Sequence, residues 1–176
     1  MLLALGEAPV STIPKPLDAL YHAHHAMVFR TAHRITGNAE DAEDVLQTVF
    51  LRLLKRDSLA DIDNAESYLR RSAVNAALDV VRARQADNTL ELERMPASGS
   101  CTELRDLRDT LRRALAKLPE RTAEMFALRF FEGYTNPEIA KLMGLSQIVV
   151  AVTVHRTRKK LQEELKKQDH RKGAAR

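Results

Sequence analysis

"TNPEIAKLMGLSQIVVAVTVHRTRKKL", from Thr135 to Leu161, decides the fold. Thr135 followed three residues later by Glu138 is the capping-box pattern, so a helix starts there, and Gly144 after "EIAKLM" supplies its left-handed stop. Ser146 caps a last helix in which Val150, Val154, Thr157 and Leu161 recur at i, i+4, i+7 and i+11, one face for the core. The β-branched run "IVVAVTV" would also suit a strand. It has no turn partner, however, and flows directly into the helix-favouring "RTRKKLQEELKK". Two helices joined by a tight Gly-containing turn make a helix-turn-helix.

In such a unit the second helix enters the major groove with its N-terminal residues toward base edges, while phosphate contacts fix its register. Ser146, Gln147, Val149, Val150 and Thr153 occupy that leading end; Arg156, Arg158, Lys159 and Lys160 follow it. Those cations would neutralise phosphates and make binding strongly salt-dependent.

Upstream, Leu17, Leu20, His24, Met27, Thr31 and Ile35 recur at helical spacing until Gly37–Asn38 stops one helix and caps the next. From Ala39, Ala42, Leu46, Val49, Phe50 and Leu53 form a stripe, with Glu40, Asp41, Glu43 and Asp44 in the first turns, where the helix dipole favours acids. Asp63 or Asn64 can cap a third helix, "AESYLRRSAVNAALDVVRAR", to about Arg84. The pattern lapses between Gln85 and Thr102, where Pro96 and Gly99 mark a linker. A fourth helix spans about Glu103 to Lys117, and Pro119 opens a fifth, "ERTAEMFALRFFEG". The expectation is an all-α protein of two small helical domains joined by a flexible linker. Its parts are an arm over 1–16, domains over 17–85 and 103–167, the linker over 86–102 and a basic tail over 168–176.

Charge divides along the same line. Residues 17–84 carry nine Lys and Arg against ten Asp and Glu, a balance of −1; residues 103–176 carry seventeen against ten, a balance of +7. The basic half suits a polyanion, the balanced half a partner that is partly protein. The apolar opening "MLLALGEAPV" is too short to span a membrane and meets Glu7 and Pro9 early, so neither a signal peptide nor membrane insertion is expected. The lone Cys101 rules out an internal disulfide and agrees with a reducing cytoplasm. His22, His24 and His25 stand at consecutive and alternate helical positions that do not converge on one ion, so no metal site is expected. No nucleophile with its base and orienting acid can be assembled, and no Gly-rich phosphate loop is present. Neither an enzyme nor a cofactor is therefore expected.

"LPERTAEMFALRFFEGYTNPEIAKLMGLSQIVVAVTVHRTRKKL" resembles the C-terminal promoter-reading domain of the extracytoplasmic-function (group 4) sigma factors of the sigma-70 family. "DAEDVLQTVFLRLLK" followed by "SYLRRSAVNAALDVVRAR" resembles that family's N-terminal domain. Both blocks stand in the family's order and together cover nearly everything from Leu17 to Leu165. The resemblance implies a transcription initiation factor that binds core RNA polymerase, directs it to promoters and aids melting under the control of an anti-sigma factor. A stand-alone helix-turn-helix regulator is the alternative.

Residue by residue, the resemblance makes Asp41, Asp44, Gln47, Thr48 and Leu51, all expected to point outward, the surface that docks on the clamp of the polymerase's largest subunit. It places the second domain against the flap of the second-largest subunit. Tyr68, Arg70, Arg71, Asn75, Arg82 and Arg84 look like the minus-ten reader, with cations and a flat ring to guide an unstacked single strand. Tyr68 stands where the family usually has Trp and Val74 where it often has Arg; Tyr68 could instead be core, and Asn75 could tie neighbouring helices together. Ser146, Gln147, Val149, Val152, Thr153, His155, Arg156, Arg158 and Lys159 look like the minus-thirty-five reader. Ala151 and Val152 replace the family's usual polar or basic residues, and Ile148 its Gly. Val152 and Thr153 are then expected to touch thymine methyls, with Arg156 on a phosphate or guanine and His155 near the backbone; the aliphatic surface could alternatively bind a protein.

Overall fold

Helices account for most of the described residues because apolar residues recur there at helical spacing between well-formed caps. A computed structural model describes residues 15–56, 62, 64–90 and 102–174, and among these there are seven helices and no strand. They are α1 (Lys15–Thr36), α2 (Ala39–Leu54), α3 (Ala65–Leu90), α4 (Thr102–Ala116), α5 (Glu120–Phe130), α6 (Asn136–Met143) and α7 (Gln147–Ala174). The arm before Lys15, Cys101 and most of the loop between Arg56 and Asn64 lie outside the described residues, as does the linker over 91–101.

The first three helices pack on one another. Gly37 takes a φ of 74°, a left-handed conformation that an L side chain enters at a cost, and so turns the chain from α1 into α2. Asn38 then accepts from the Glu40 amide at 2.9 Å and caps α2. Of the two candidates for the α3 cap, Asn64 fills the role, its side chain accepting from the Ser67 amide at 2.9 Å. Val28, Ala32 and Ile35 of α1 meet Val45, Val49 and Leu53 of α2 and Leu69, Ala73, Val74 and Leu78 of α3 in the core. Each large aliphatic side chain buried there contributes about 1.5–3 kcal/mol of transfer free energy.

In the second domain α7 packs against α4, α5 and α6. Its stripe of Val150, Val154, Thr157 and Leu161 is buried as the spacing requires. Pro119 stands at the N-cap of α5 rather than inside the helix.

Two boundaries differ from expectation. α3 continues to Leu90, past the expected domain end at 85, with no Gly or Pro between Gln85 and Leu90 to break it. The tail from residue 168 is helical to Ala174 as a continuation of α7. The domains also touch: α3 packs against both α4 and α5.

Candidate nucleic-acid and partner interfaces

On α2, the stripe that faces the core leaves Asp44, Gln47 and Leu51 exposed and Thr48 half-exposed. Asp41 departs from the expected outward position. Its residue is 7% exposed, and its Oδ1 accepts from Arg84 Nη2 of α3 at 2.6 Å. Burial raises its carboxyl above the ordinary aspartate value, against the lowering effect of Arg84. Asp41 therefore joins helices, and Arg84, expected at the nucleic-acid face, is its partner. Leu54, which the sequence reading missed, is exposed three residues after Leu51 and continues the same surface; helical spacing from Leu51 and Gln47 was the available signal.

α3 carries the minus-ten candidates. Tyr68 is half-buried against the core, with its hydroxyl accepting from Arg56 Nη1 at 3.0 Å and the Arg56 guanidinium 5.3 Å from its ring centre. The ring of Tyr68 thus packs against the core while its hydroxyl meets a cation. Arg82 donates to Asp79 at 3.2 Å, one turn away. The other three reach the second domain. Arg70 Nη1 donates to Glu132 Oε2 at 2.8 Å and its Nη2 to Glu66. Arg71 donates to Glu124 through Nε and to the Leu142 carbonyl at 3.0 Å through Nη1. Asn75 Nδ2 donates to Glu124 Oε1 at 3.2 Å. Glu124 and Glu132 were not singled out by sequence, although Glu124 lies in the run Ala123–Leu128, every member of which is buried. A carboxylate in such a run signals a buried partner.

The helix-turn-helix is built as its caps require. Thr135 Oγ1 accepts from the Glu138 amide at 3.4 Å while Glu138 Oε2 accepts from the Thr135 amide at 2.7 Å, so two N-terminal donors are satisfied reciprocally. The hydroxyl and amide of Thr135 hold the Glu138 carboxyl below its ordinary value. Gly144, with φ 65°, closes α6 as a left-handed cap, and Ser146 Oγ accepts from the Val149 amide at 3.3 Å at the start of α7.

Opposite the buried stripe of α7, Ser146, Gln147, Val149, Val152, His155, Arg156, Arg158 and Lys159 are exposed and Thr153 half-exposed. Ile148, omitted from the expected reader, is 76% exposed. Ile148, Val152, Arg156 and Lys159 are successive positions on one face: aliphatic near the N-terminus, cationic beyond it. This arrangement offers methyl-sized contacts to base edges and charge to phosphates.

The histidines stay local: His25 Nδ1 lies 3.0 Å from the Tyr21 carbonyl, and His22 lies 3.5 Å from Asp18. Among the described residues no cluster of three or more His, Cys, Asp or Glu side chains is placed to hold a metal ion, and no single helix is long and apolar enough to cross a membrane.

Known proteins match the two segments that carry these faces. The family described as "Sigma-70 region 2" matches residues 20–86, and "Sigma-70, region 4" matches residues 108–161. The RNA polymerase sigma-E factor of Streptomyces avermitilis is 32% identical over 145 residues, covering 81% of this chain and 80% of that protein. The ECF RNA polymerase sigma factor SigM of Mycobacterium tuberculosis is 31% identical over 146 residues, covering 82% and 74%. The ferric citrate uptake sigma factor FecI of Escherichia coli is 30% identical over 152 residues, covering 81% and 86%. Among solved structures, the sigma factor RpoE of Bartonella quintana, crystallised with the anti-sigma factor NepR, shares the fold with a TM-score of 0.51 at 20% identity, covering 87% of this chain and 98% of that one.

Proposed function

Because this chain belongs to the extracytoplasmic-function RNA polymerase sigma factors of the sigma-70 family, we propose that it binds core RNA polymerase, directs it to specific promoters and assists in opening them. The observation that carries this reading is the presence in one chain of both matched regions, one on α1–α3 and the other on α4–α7. An independent regulator would need only the second.

In this reading α2 docks on the clamp of the polymerase's largest subunit through Asp44, Gln47, Thr48 and Leu51, with Leu54 extending the contact. The second domain lies against the flap of the second-largest subunit. α3 guides the melted minus-ten strand with Arg70, Arg71, Asn75 and Arg82, and Tyr68 offers a ring edge for a displaced base. The N-terminal half of α7 faces the minus-thirty-five bases. Its exposed aliphatic residues favour thymine methyls, while Arg156, Arg158 and Lys159 position the helix on phosphates. The protein performs no catalysis of its own; it supplies recognition to the polymerase, acts in the cytoplasm and is held in check by an anti-sigma factor.

Run-off transcription from a pool of bacterial promoter fragments, using core polymerase with and without the protein, tests the proposal. Sequence-specific transcripts that appear only with the protein are expected. Duplex DNA binding with neither polymerase binding nor transcripts would replace it with the independent regulator.

A further inference from the structure

The first two turns of α7 hold large aliphatic side chains in the open. Ile148 is 76% exposed, Val149 47% and Val152 42%, all outside the buried stripe of Val150, Val154, Thr157 and Leu161. Ile148 and Val152 stand one turn apart on the same face. Ser146, which precedes them, turns its Oγ to the Val149 amide at 3.3 Å. Gln147 and Thr153 flank the face, and on the face itself polar side chains return with Arg156 and Lys159. Aliphatic surface left in water forgoes the transfer free energy that burial would return, so a patch of this kind marks a contact. The exposed cations beyond it, Arg156, Arg158 and Lys159, fit a polyanion; a second copy of this chain would set the same charges against one another.

In the major groove thymine presents its O4 acceptor and a C5 methyl, whereas cytosine presents an N4 amino donor and a bare C5. A side chain with a polar head tells O4 from N4. Ile148 and Val152 have no such head: neither group finds a partner on them, and the methyl alone is left to be read. A cytosine methylated at C5 carries that methyl at the same ring position as thymine does. We propose that the ligand of this face is a C5-methylated pyrimidine, 5-methylcytosine as well as thymine, so that cytosine methylation changes which promoters the polymerase is brought to. The inference rests on the minus-thirty-five reading of α7 and deepens it by naming the group that is read.

The test needs no promoter known beforehand. Duplex DNA with a randomised segment long enough for both promoter elements is made once with cytosine and once with 5-methylcytosine. Each library is offered to holoenzyme assembled from core polymerase and the full-length protein, and the bound fragments are sequenced. In the cytosine library, one or more minus-thirty-five positions should select thymine on one strand. In the methylated library, cytosine should be recovered at those positions about fourfold more often, the gain from one buried methyl-sized group. The pairing partner is guanine in both libraries, so the comparison isolates the methyl. Holoenzyme carrying Ile148→Ala with Val152→Ala should lose the gain.

Equal recovery of cytosine from both libraries would overturn the proposal, as would a minus-thirty-five segment enriched without thymine. A gain that survives in the double variant would assign it to the altered shape of methylated DNA and overturn the role of the aliphatic face. No enrichment at minus thirty-five in either library would remove the reading of α7 itself, and the inference with it.

Discussion

Arg84 Nη2 of α3 donates to Asp41 Oδ1 in the first turn of α2 at 2.6 Å, fastening the far part of one helix to the start of another. Arg84→Ala should lower stability at neutral pH by about 1–2 kcal/mol, less than a fully buried pair would lose because the arginine is half exposed. Burial, the largest influence on Asp41, raises its carboxyl against the cation. Between the ordinary aspartate value and the raised native one, the folded protein therefore binds more protons than the unfolded chain, and stability falls as pH rises through that window. Removing Arg84 should steepen the fall and Asp41→Asn should flatten it; urea unfolding over about pH 3–7 measures both.

Gly37 holds a φ of 74°, and a Cβ built there would meet the Arg112 guanidinium of the second domain. Gly37→Ala should cost about 1–2 kcal/mol from the left-handed backbone alone. The arginine can swing aside, so the local clash adds little, but its bond to the Ile35 carbonyl is disturbed. Urea unfolding reports the first effect and an increased radius of gyration the second.

The capping box gives a separable effect in the second domain. Thr135→Ala should destabilise by about 1 kcal/mol. Because Thr135 holds the Glu138 carboxyl below its ordinary value, the stability this link supplies is present above the ordinary carboxylate value and lost as pH falls through the depressed one. The variant should show a weaker acid dependence in thermal melts.

On the α2 face proposed to dock on the polymerase, Asp44→Arg with Gln47→Ala should leave the far-ultraviolet circular dichroism unchanged, since both positions are exposed. Core polymerase affinity should fall at least about tenfold, measured by fluorescence anisotropy of labelled protein, if α2 is the docking surface.

For the α7 face proposed to meet bases, replacing minus-thirty-five thymines by deoxyuridine removes only the C5 methyl. At a thymine touched by Val152 or Ile148, holoenzyme binding should weaken about fourfold, the equivalent of ~0.8 kcal/mol for one buried methyl-sized group. Val152→Ala should abolish that sensitivity at its own contact. Uniform tolerance of deoxyuridine would assign the aliphatic face another role.

How legible the molecule is from sequence depends on the range of the interaction concerned. The cap at Asn38, the stops at Gly37 and Gly144, the capping box of Thr135 with Glu138 and the buried stripe of α7 are each settled within a few residues along the chain. Periodicity and turn chemistry reveal them directly. The same local logic shows which α7 side chains oppose the core, although Ile148 had to be seen in place to be counted among them. It fails for Asp41, which shares an acidic turn with exposed Glu40, Glu43 and Asp44 and differs from them only by reaching Arg84, 43 residues later.

Sequence alone thus determined the helices, their caps and the resemblance of two blocks, because each is written in short spacings. The tertiary structure decided which charges are free. Arg70, Arg71 and Asn75 read in sequence as candidates for the minus-ten strand, and Glu124 and Glu132 were not singled out. Only folding brings them together, across separations of 49 to 62 residues. The physical reason is that charge pairing acts through space: an ionic partner is fixed by how helices pack, and no helical periodicity encodes it.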